Sequence, residues 1–254
     1  MSGDFSVGWL ALRTPADDRA RSTRLIATCA ACLASCASDG PIKIVDLGAG
    51  TGATWRALSP HLPRPQAWTL IDADSTLLRE AERRARAAAD PHITVSTMTA
   101  DLMADPAPWH EVPHLVTASA LFDLTSRDFI EGFAARLGAA RIPLLAMLTY
   151  DGRLELSPDH PDDTMMVDAF NAHQRSEKTF GRAAGPDGAD ILAEALEANG
   201  ARVEVDDTPW RLDAGRGDGL IAATLEGWAD AARAILPDPE AARQASDRWI
   251  EAHS

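Results

Sequence analysis

The stretch IVDLGAGTG, residues 44–52, constrains the fold more than any other part of the chain. An apolar run ends in an acid, and Gly48, Gly50 and Gly52 then alternate with other residues. Glycine lets a chain turn sharply and leaves bare backbone for a ligand to approach. The run before it, PIKIVD at residues 41–46, has little polar relief, as in a strand covered on both faces. Residues 51–58 read as a helix stopped by Ser59 and Pro60. Strand, glycine turn and helix together are the opening unit of a doubly wound sheet.

The same alternation continues. Residues 68–71 (WTLI) form a second strand ending at Asp72, and residues 75–89 a helix with Leu77, Leu78, Ala81 and Ala85 at helical spacing. Residues 92–97 are a third strand, with Ala100-Asp101-Leu102 just beyond it. Residues 114–119 are a fourth strand, 128–137 a helix and 142–149 a fifth strand. This pattern predicts an α/β fold, a Rossmann-like three-layer sandwich with a parallel sheet between helices. Right-handed crossovers bring the loops after the strands to one edge, so Gly48, Asp72, Asp101, Ser119 and Tyr150 converge there.

Around this frame, residues 15–37 predict an N-terminal helix with Arg21 and Arg24 on its outer side. Cys29, Cys32 and Cys36 share a face of it with Leu25 and read as small buried hydrophobes, since no fourth thiol completes a metal or cluster site. After the fifth strand the pattern breaks, and residues 151–188 read as an insert over the open edge of the sheet. Within it, residues 164–180 predict a helix bearing His173, and residues 181–188 a turn-rich segment. Residues 189–198 return to helix, 202–212 read as a strand bulged at Pro209, and a further strand near 213–222 is obscured by glycines. Helices at 220–236 and 239–253 complete a single domain spanning residues 1–254, with residues 1–40 as a helical cap or lid.

Composition narrows the partners. Lysine and arginine number 24 against 38 acids, a formal charge of -14. Such a surface repels a nucleic-acid backbone and an anionic membrane. Residues 1–18 lack the apolar core of a signal peptide, and no run is long enough to span a bilayer, so a cytoplasmic setting is expected. His61, His92, His110 and His114 are scattered without ligand spacing, and no metal is expected. No G-x-S-x-G elbow is present. A homodimer through the C-terminal helices and Trp228 or Trp249 is a further possibility the sequence offers.

The glycine loop discriminates among ligands. A P-loop is excluded because no Lys-Ser or Lys-Thr follows. A dinucleotide loop needs G-x-G-x-x-G, and here the glycines are two apart with Ala53 at the last position. Asp46 beside the loop repels phosphate and suits a cation. The loop resembles motif I of the class I S-adenosylmethionine-dependent methyltransferases, and the resemblance extends through Leu124. It implies that fold, the cofactor S-adenosylmethionine, and an enzyme that transfers methyl to a small molecule by direct displacement. It implies that Gly48, Ala49, Gly50 and Gly52 lie beneath the methionine and sugar of the cofactor, with Asp46 near the ammonium. Asp72, with Ala73 beside it, matches the acid that binds the ribose hydroxyls. Asp101 matches the acid near the adenine amino group, with Leu102 against the ring. Residues 119–124, with Ser119, Ala120 and Phe122 as the contacts, match the segment that closes on the cofactor. The N-terminal segment reads as a lid, with Arg13 or Arg21 as the candidate for the methionine carboxylate.

The substrate side is read from the residues themselves. Tyr150, the only tyrosine, follows the fifth strand, with Asp151 next. His173 and Glu177 share a helical face if the helix runs through both, making an oriented base. Arg175 and Lys178 are candidates for a substrate carboxylate, and Phe122, Asp123 and His160 for other substrate contacts. The alternatives are plain ones: a surface histidine, a solvated helix face, a packing tyrosine. Asp162 and Asp163 read as a helix cap. The Asp-Pro-Pro-Tyr type of tetrad used by amino-methylating nucleic-acid enzymes is absent after the fourth strand, which favours a small-molecule acceptor. Two rival functions remain at this level: transfer or cyclisation of the cofactor's aminocarboxypropyl arm, and a non-enzymatic protein that keeps the fold.

Overall fold

The computed structural model describes residues 6–35, 40–213 and 218–253. Five strands, β1 (Ile42–Leu47), β2 (Gln66–Asp72), β3 (Ile93–Thr99), β4 (Leu115–Ser119) and β5 (Leu144–Met147), form one parallel sheet in the order β3-β2-β1-β4-β5. The chain steps outward from β1 to β2 and β3, then returns to lay β4 on the other side of β1. That reversal opens a crevice at the carboxyl ends of β1 and β4, the usual ligand position in such sheets. Asp46 lies opposite Thr117 across this junction.

Two helices precede the sheet, α1 (Val7–Arg19) and α2 (Thr23–Ser35), where the sequence predicts one. The Ser6 hydroxyl accepts the Trp9 amide at 3.1 Å and starts α1 early, so Trp9 to Arg13 lie inside a helix. The Ser22 hydroxyl accepts the Leu25 amide at 3.0 Å and starts α2 afresh, leaving Arg21 in the break. The buried residues of α2 are Ile26 and Leu33. Cys29 is half-buried beside them, with its thiol pushed up to about 11 by burial, but Cys32 is exposed, so the predicted cysteine face is offset from the real one. Cys36 lies outside the described residues.

α3 (Ala53–Leu58) and α4 (Ser75–Ala88) follow β1 and β2. The Asp74 carboxylate accepts the Thr76 amide at 2.6 Å and starts α4. α5 (Arg127–Ala140) is started likewise by Ser126, which accepts the Phe129 amide at 3.2 Å. The insert holds α6 (Asp163–Gln174) and a short antiparallel pair, β6 (Glu177–Lys178) with β7 (Gly181–Arg182). α7 (Gly188–Ala198), α8 (Asp218–Ile235) and α9 (Pro239–His253) complete the chain. Alternate residues of β1 go to opposite faces, which explains its unbroken apolar run. Val45 and Leu47 pack with Phe133 and Leu137 of α5 and Ile191 and Leu192 of α7. Ile44 packs with Leu33 of α2, Trp55 and Leu58 of α3 and Ala81 of α4.

The predicted helix at 164–180 stops at Gln174, where the backbone turns into the β6–β7 pair and Ser176 O accepts the Ala183 amide at 3.1 Å; the Arg175 guanidinium pairs with the Asp187 carboxylate at 2.9 and 3.1 Å. Residues 202–212 form no strand. Pro209 has no amide hydrogen to donate, and the segment instead ties side chains to α1 and α2: Arg24 pairs with Glu204 at 2.8 Å, and the Trp210 indole donates to Asp17 at 3.0 Å. The further strand near 213–222 does not form over its described part, where α8 begins; residues 214–217 lie outside the described residues.

A third core joins Met166 and Ala169 of α6 to Trp228 and Ala232 of α8 and Trp249 of α9. Trp228 stacks on Phe170 at 4.0 Å, and Trp249 is fully buried. Both tryptophans are buried inside the chain. No helix among the described residues is long and apolar enough to cross a membrane.

Candidate functional site

The loop after β1 is held from beneath. The Ala49 amide donates to Ile71 O at 3.0 Å, and the Gly50 amide donates to Asp72 Oδ2 at 2.8 Å. Gly50 has a φ of 52°, and a Cβ there would stand 3.3 Å from Leu10 Cδ1 of α1. Glycine thus meets two demands at once, left-handed backbone and close approach. The contact lays α1 across the loop. Asp72 Oδ1 accepts the Asp74 amide at 2.9 Å, so this carboxylate links the loop to the start of α4. Burial raises its pKa, opposed by the Asp74 and Gly50 amides.

Asp46, the last residue but one of β1, is fully buried. Its Oδ1 accepts the Thr117 hydroxyl at 2.7 Å, whereas its buried Oδ2 has no partner. Burial pushes its pKa up to about 7, opposed by the Thr117 hydrogen bond and the charge of Arg21. Arg21, reaching in from the break between α1 and α2, is 7% exposed. It lies against Met147 at the end of β5, Nη1 to Sδ 3.2 Å. Burial lowers its pKa, offset by Asp17, Asp18 and Asp46.

Beyond β4, Ala120 takes a φ of 52° and turns the chain. Ser119 and Ala120 are half-buried at this turn. Leu121 follows and covers the loop, its Cδ1 3.5 Å from a Cβ built on Gly48. Leu121 lies within the segment that the resemblance matches as closing on the cofactor, but the sequence does not single it out; the left-handed Ala120 brings it over the loop. The Phe122 ring points the other way. It is 1% exposed and packs on Phe133, ring centres 5.8 Å apart, within the core between the sheet and α5. Leu102 is likewise buried in that core, whereas Asp101 and Ala73 are exposed, Asp101 accepting the Met103 amide at 2.9 Å.

Asp123 is the second buried acid of this edge. Its Oδ1 is buried and unpartnered. Burial pushes its pKa up to about 6, opposed by its own and the Tyr150 amide and by the charges of Arg13 and Lys178. Lys178 is half-buried, its pKa lowered by burial with Asp123 opposing. His173 lies within the field of Lys178, its Nδ1 buried without a partner and its pKa lowered by burial and by that lysine. Lys178 thus feels the charge of Asp123, and His173 that of Lys178.

Other candidates are placed differently. Glu177 is in β6, beyond the end of α6, so the expected His173–Glu177 pairing along one helix face does not occur. The Tyr150 hydroxyl donates to Asn171 Oδ1 at 2.7 Å, and its ring meets Phe170 edge-on. Burial raises its pKa, with Asp151 adding to the rise, so Tyr150 braces the insert and keeps its proton. Asp151 is exposed and engaged by Arg153 Nε at 2.7 Å. The Arg175 fork is filled by Asp187. His160 precedes α6 and its ring lies 6.0 Å from His253 of α9. A twelve-residue helix is about 18 Å long, so His160 and His173 stand at opposite ends of α6. Asp162 and Asp163 do not cap α6 with their side chains; Asp163 accepts the Trp249 indole at 2.7 Å instead.

A separate cleft of about 380 Å³, lined by Trp55, Glu82, Arg86 and Ile93, lies along the first half of β3 and is not part of this site.

No family model and no curated protein matches the sequence. Among solved structures, the cyclopropane synthase from Mycobacterium tuberculosis is similar with a TM-score of 0.50 and 14% identity, covering 89% of this chain and 76% of that one. Magnesium protoporphyrin IX methyltransferase from Synechocystis PCC 6803 with bound SAH gives a TM-score of 0.48 and 14% identity, covering 83% of this chain and 85% of that one. The parallel sheet and its reversal beside β1 make a Rossmann-like three-layer fold, which the chain shares with the first of these structures.

Proposed function

We propose that this chain is an S-adenosylmethionine-dependent enzyme that transfers a methyl group to a small-molecule acceptor by direct displacement. The carrying observation is the buried, unpartnered Oδ2 of Asp46 beneath a glycine loop whose Gly50 amide is tied to Asp72. A lone buried carboxylate oxygen is costly unless a donor or cation meets it. An ammonium-bearing sulfonium cofactor supplies that charge, whereas a pyrophosphate would be repelled.

In this reading Gly48, Ala49, Gly50 and Gly52 carry the cofactor's methionine and sugar, and Asp46 holds its ammonium. Asp72 takes the ribose hydroxyls, Asp101 the adenine amino group, and Arg21 the carboxylate. When bound, the cofactor supplies an electrophilic methyl group. Asp123 orients the acceptor and takes its proton as the acceptor lone pair forms the new bond and the sulfur keeps the electrons of the old one. Lys178 tunes that carboxylate, and a neutral His173 lines the same side. Alignment and exclusion of water by α1 and the insert supply most of the acceleration, because displacement needs little else.

Parallel calorimetric titrations with S-adenosylmethionine, S-adenosylhomocysteine and reduced nicotinamide dinucleotide test the cofactor. Saturable binding of the two adenosyl ligands alone is expected; binding of the nicotinamide alone refutes the reading. Mass spectrometry of an acceptor screen then separates methyl transfer from aminocarboxypropyl transfer by the mass gained.

A further inference from the structure

Between the end of α1 and residues 207–211 lies a cleft of about 350 Å³, lined by Arg19, Arg21, Asp207, Thr208 and Arg211 among others. That volume falls at the lower end of small-ligand pockets, which begin near roughly 300 Å³. Three arginines line one cleft in a chain with a formal charge of -14. Arg19 and Arg211 are exposed, and neither has an ion pair or side-chain hydrogen bond with any described residue. Arg21 is buried and its Nε has no hydrogen-bond partner, the Asp18 carboxylate standing 3.6 Å off.

Of the nearby acids, Asp18 faces Arg21 itself at 3.6 Å, and the others are committed elsewhere. Asp17 receives Arg13 and the Trp210 indole, Asp206 receives Ser22 and Arg24, and Asp207 receives Arg153. The acids of this wall thus have cations or donors of their own, while the cleft's arginines have room for an anion. Guanidinium groups hold planar oxyanions through paired hydrogen bonds, and the Thr208 side chain adds a hydroxyl.

We propose that this cleft binds the oxyanion of an organic ligand, a phosphate monoester or a carboxylate, with Arg21 at its floor and Arg19 and Arg211 at its rim. Only Arg21 is shared with the cofactor site; Arg19 and Arg211 belong to the cleft alone. The inference does not rest on methyl transfer.

The full-length protein is titrated calorimetrically with phenyl phosphate and with benzoate, which share a ring and differ in the oxyanion. Each titration is repeated in saturating S-adenosylhomocysteine. Saturable binding of one or both is expected, persisting with the nucleoside present. Loss of one charge-assisted contact in Arg211→Gln or Arg19→Gln should weaken it about tenfold, with S-adenosylhomocysteine affinity unchanged. The stronger of the two probes identifies the oxyanion class. No binding of either probe, or binding unaltered in both variants, overturns the proposal. Binding lost once S-adenosylhomocysteine saturates also overturns it, because the cleft is then the methionine end of the cofactor site. The affinity of the unmodified protein for S-adenosylhomocysteine is read in the same experiment, so failure of the cofactor reading is seen separately.

Discussion

Asp46 and Asp123 are buried carboxylates at the same edge of the same sheet, yet they are buried by different means. Asp46 is enclosed by the sheet itself, between β2 and β4, with Thr117 opposite in register. Asp123 is enclosed by parts remote in sequence. A Cβ on Gly188 would stand 2.8 Å from Phe122 O and 3.0 Å from the Asp123 amide, so the start of α7 rests directly on this turn. The Ala184 amide donates to Thr125 O at 2.7 Å and seals it from the insert side. A site built on the frame is rigid and generic. A site closed by an insert is where one acceptor can be told from another.

Asp123→Asn tests this division most severely. The amide keeps the shape and loses the proton acceptor. Turnover should fall roughly a hundred- to ten-thousandfold, the usual size of a general-base contribution. S-adenosylhomocysteine affinity should stay near that of the unmodified protein. A parallel fall in both quantities would place Asp123 in the cofactor half and dissolve the distinction.

Asp72→Ala approaches from the other half. It removes the partner of the Gly50 amide and the proposed acceptor for the ribose. Binding of S-adenosylhomocysteine should weaken by roughly 1–3 kcal/mol, the cost of stranding buried donors. Unchanged affinity in the calorimeter removes Asp72 from the site.

These halves also differ in how far they can be read from the chain alone. The glycine loop, Asp46 and Asp72 are legible because strand ends, turn glycines and helix starts are local features. The order and placement of α4, α5 and α9 are legible for the same reason. Where the sequence misleads, a distant partner decides. Arg175 continues a helical pattern, but residues 176–183 pair with one another as a short antiparallel turn, which follows α6 and separates His173 from Glu177. Residues 202–212 have the apolar alternation of a strand, but Arg24, Asp17 and Pro209 hold them in irregular contact with α1 and α2. Phe122 and Leu121 are adjacent apolar residues, and nothing in their identity says which faces the loop. The left-handed Ala120 settles it, and an alanine gives no warning of that conformation.

Gly188→Ala sharpens the comparison through stability. The added methyl presses on backbone atoms that cannot swing aside. Overpacking of this kind costs about 1–3 kcal/mol. It should lower the midpoint of urea unfolding and slow turnover by shifting Asp123. Gly132→Ala in α5 is the control, because nothing lies within 4 Å of its added methyl. That substitution should be neutral or stabilise by up to about 1 kcal/mol. Equal effects at the two positions would mean that α7 does not bear on the Asp123 turn.

The smallest effect expected is a pH dependence carried by Asp46. Its pKa stands near 7 in the folded chain, pushed up by burial, against about 3.9 in an unfolded one. Below the folded value the group is neutral and offers nothing to a cation. Above it the carboxylate is charged, and in the proposed function its buried Oδ2 attracts the cofactor ammonium. Cofactor affinity should therefore rise with pH through about 7, by no more than about tenfold per pH unit below that value. The stability of the cofactor-free protein should move oppositely. Between the unfolded and folded values the native state binds a proton that the unfolded state has lost, so stability falls as pH rises across that window. Asp46→Asn should flatten both curves while leaving the fold intact, because the amide still accepts from Thr117. If affinity rises with pH just as steeply in that variant, the titrating group lies elsewhere. Asp123, near 6, is then the first to examine.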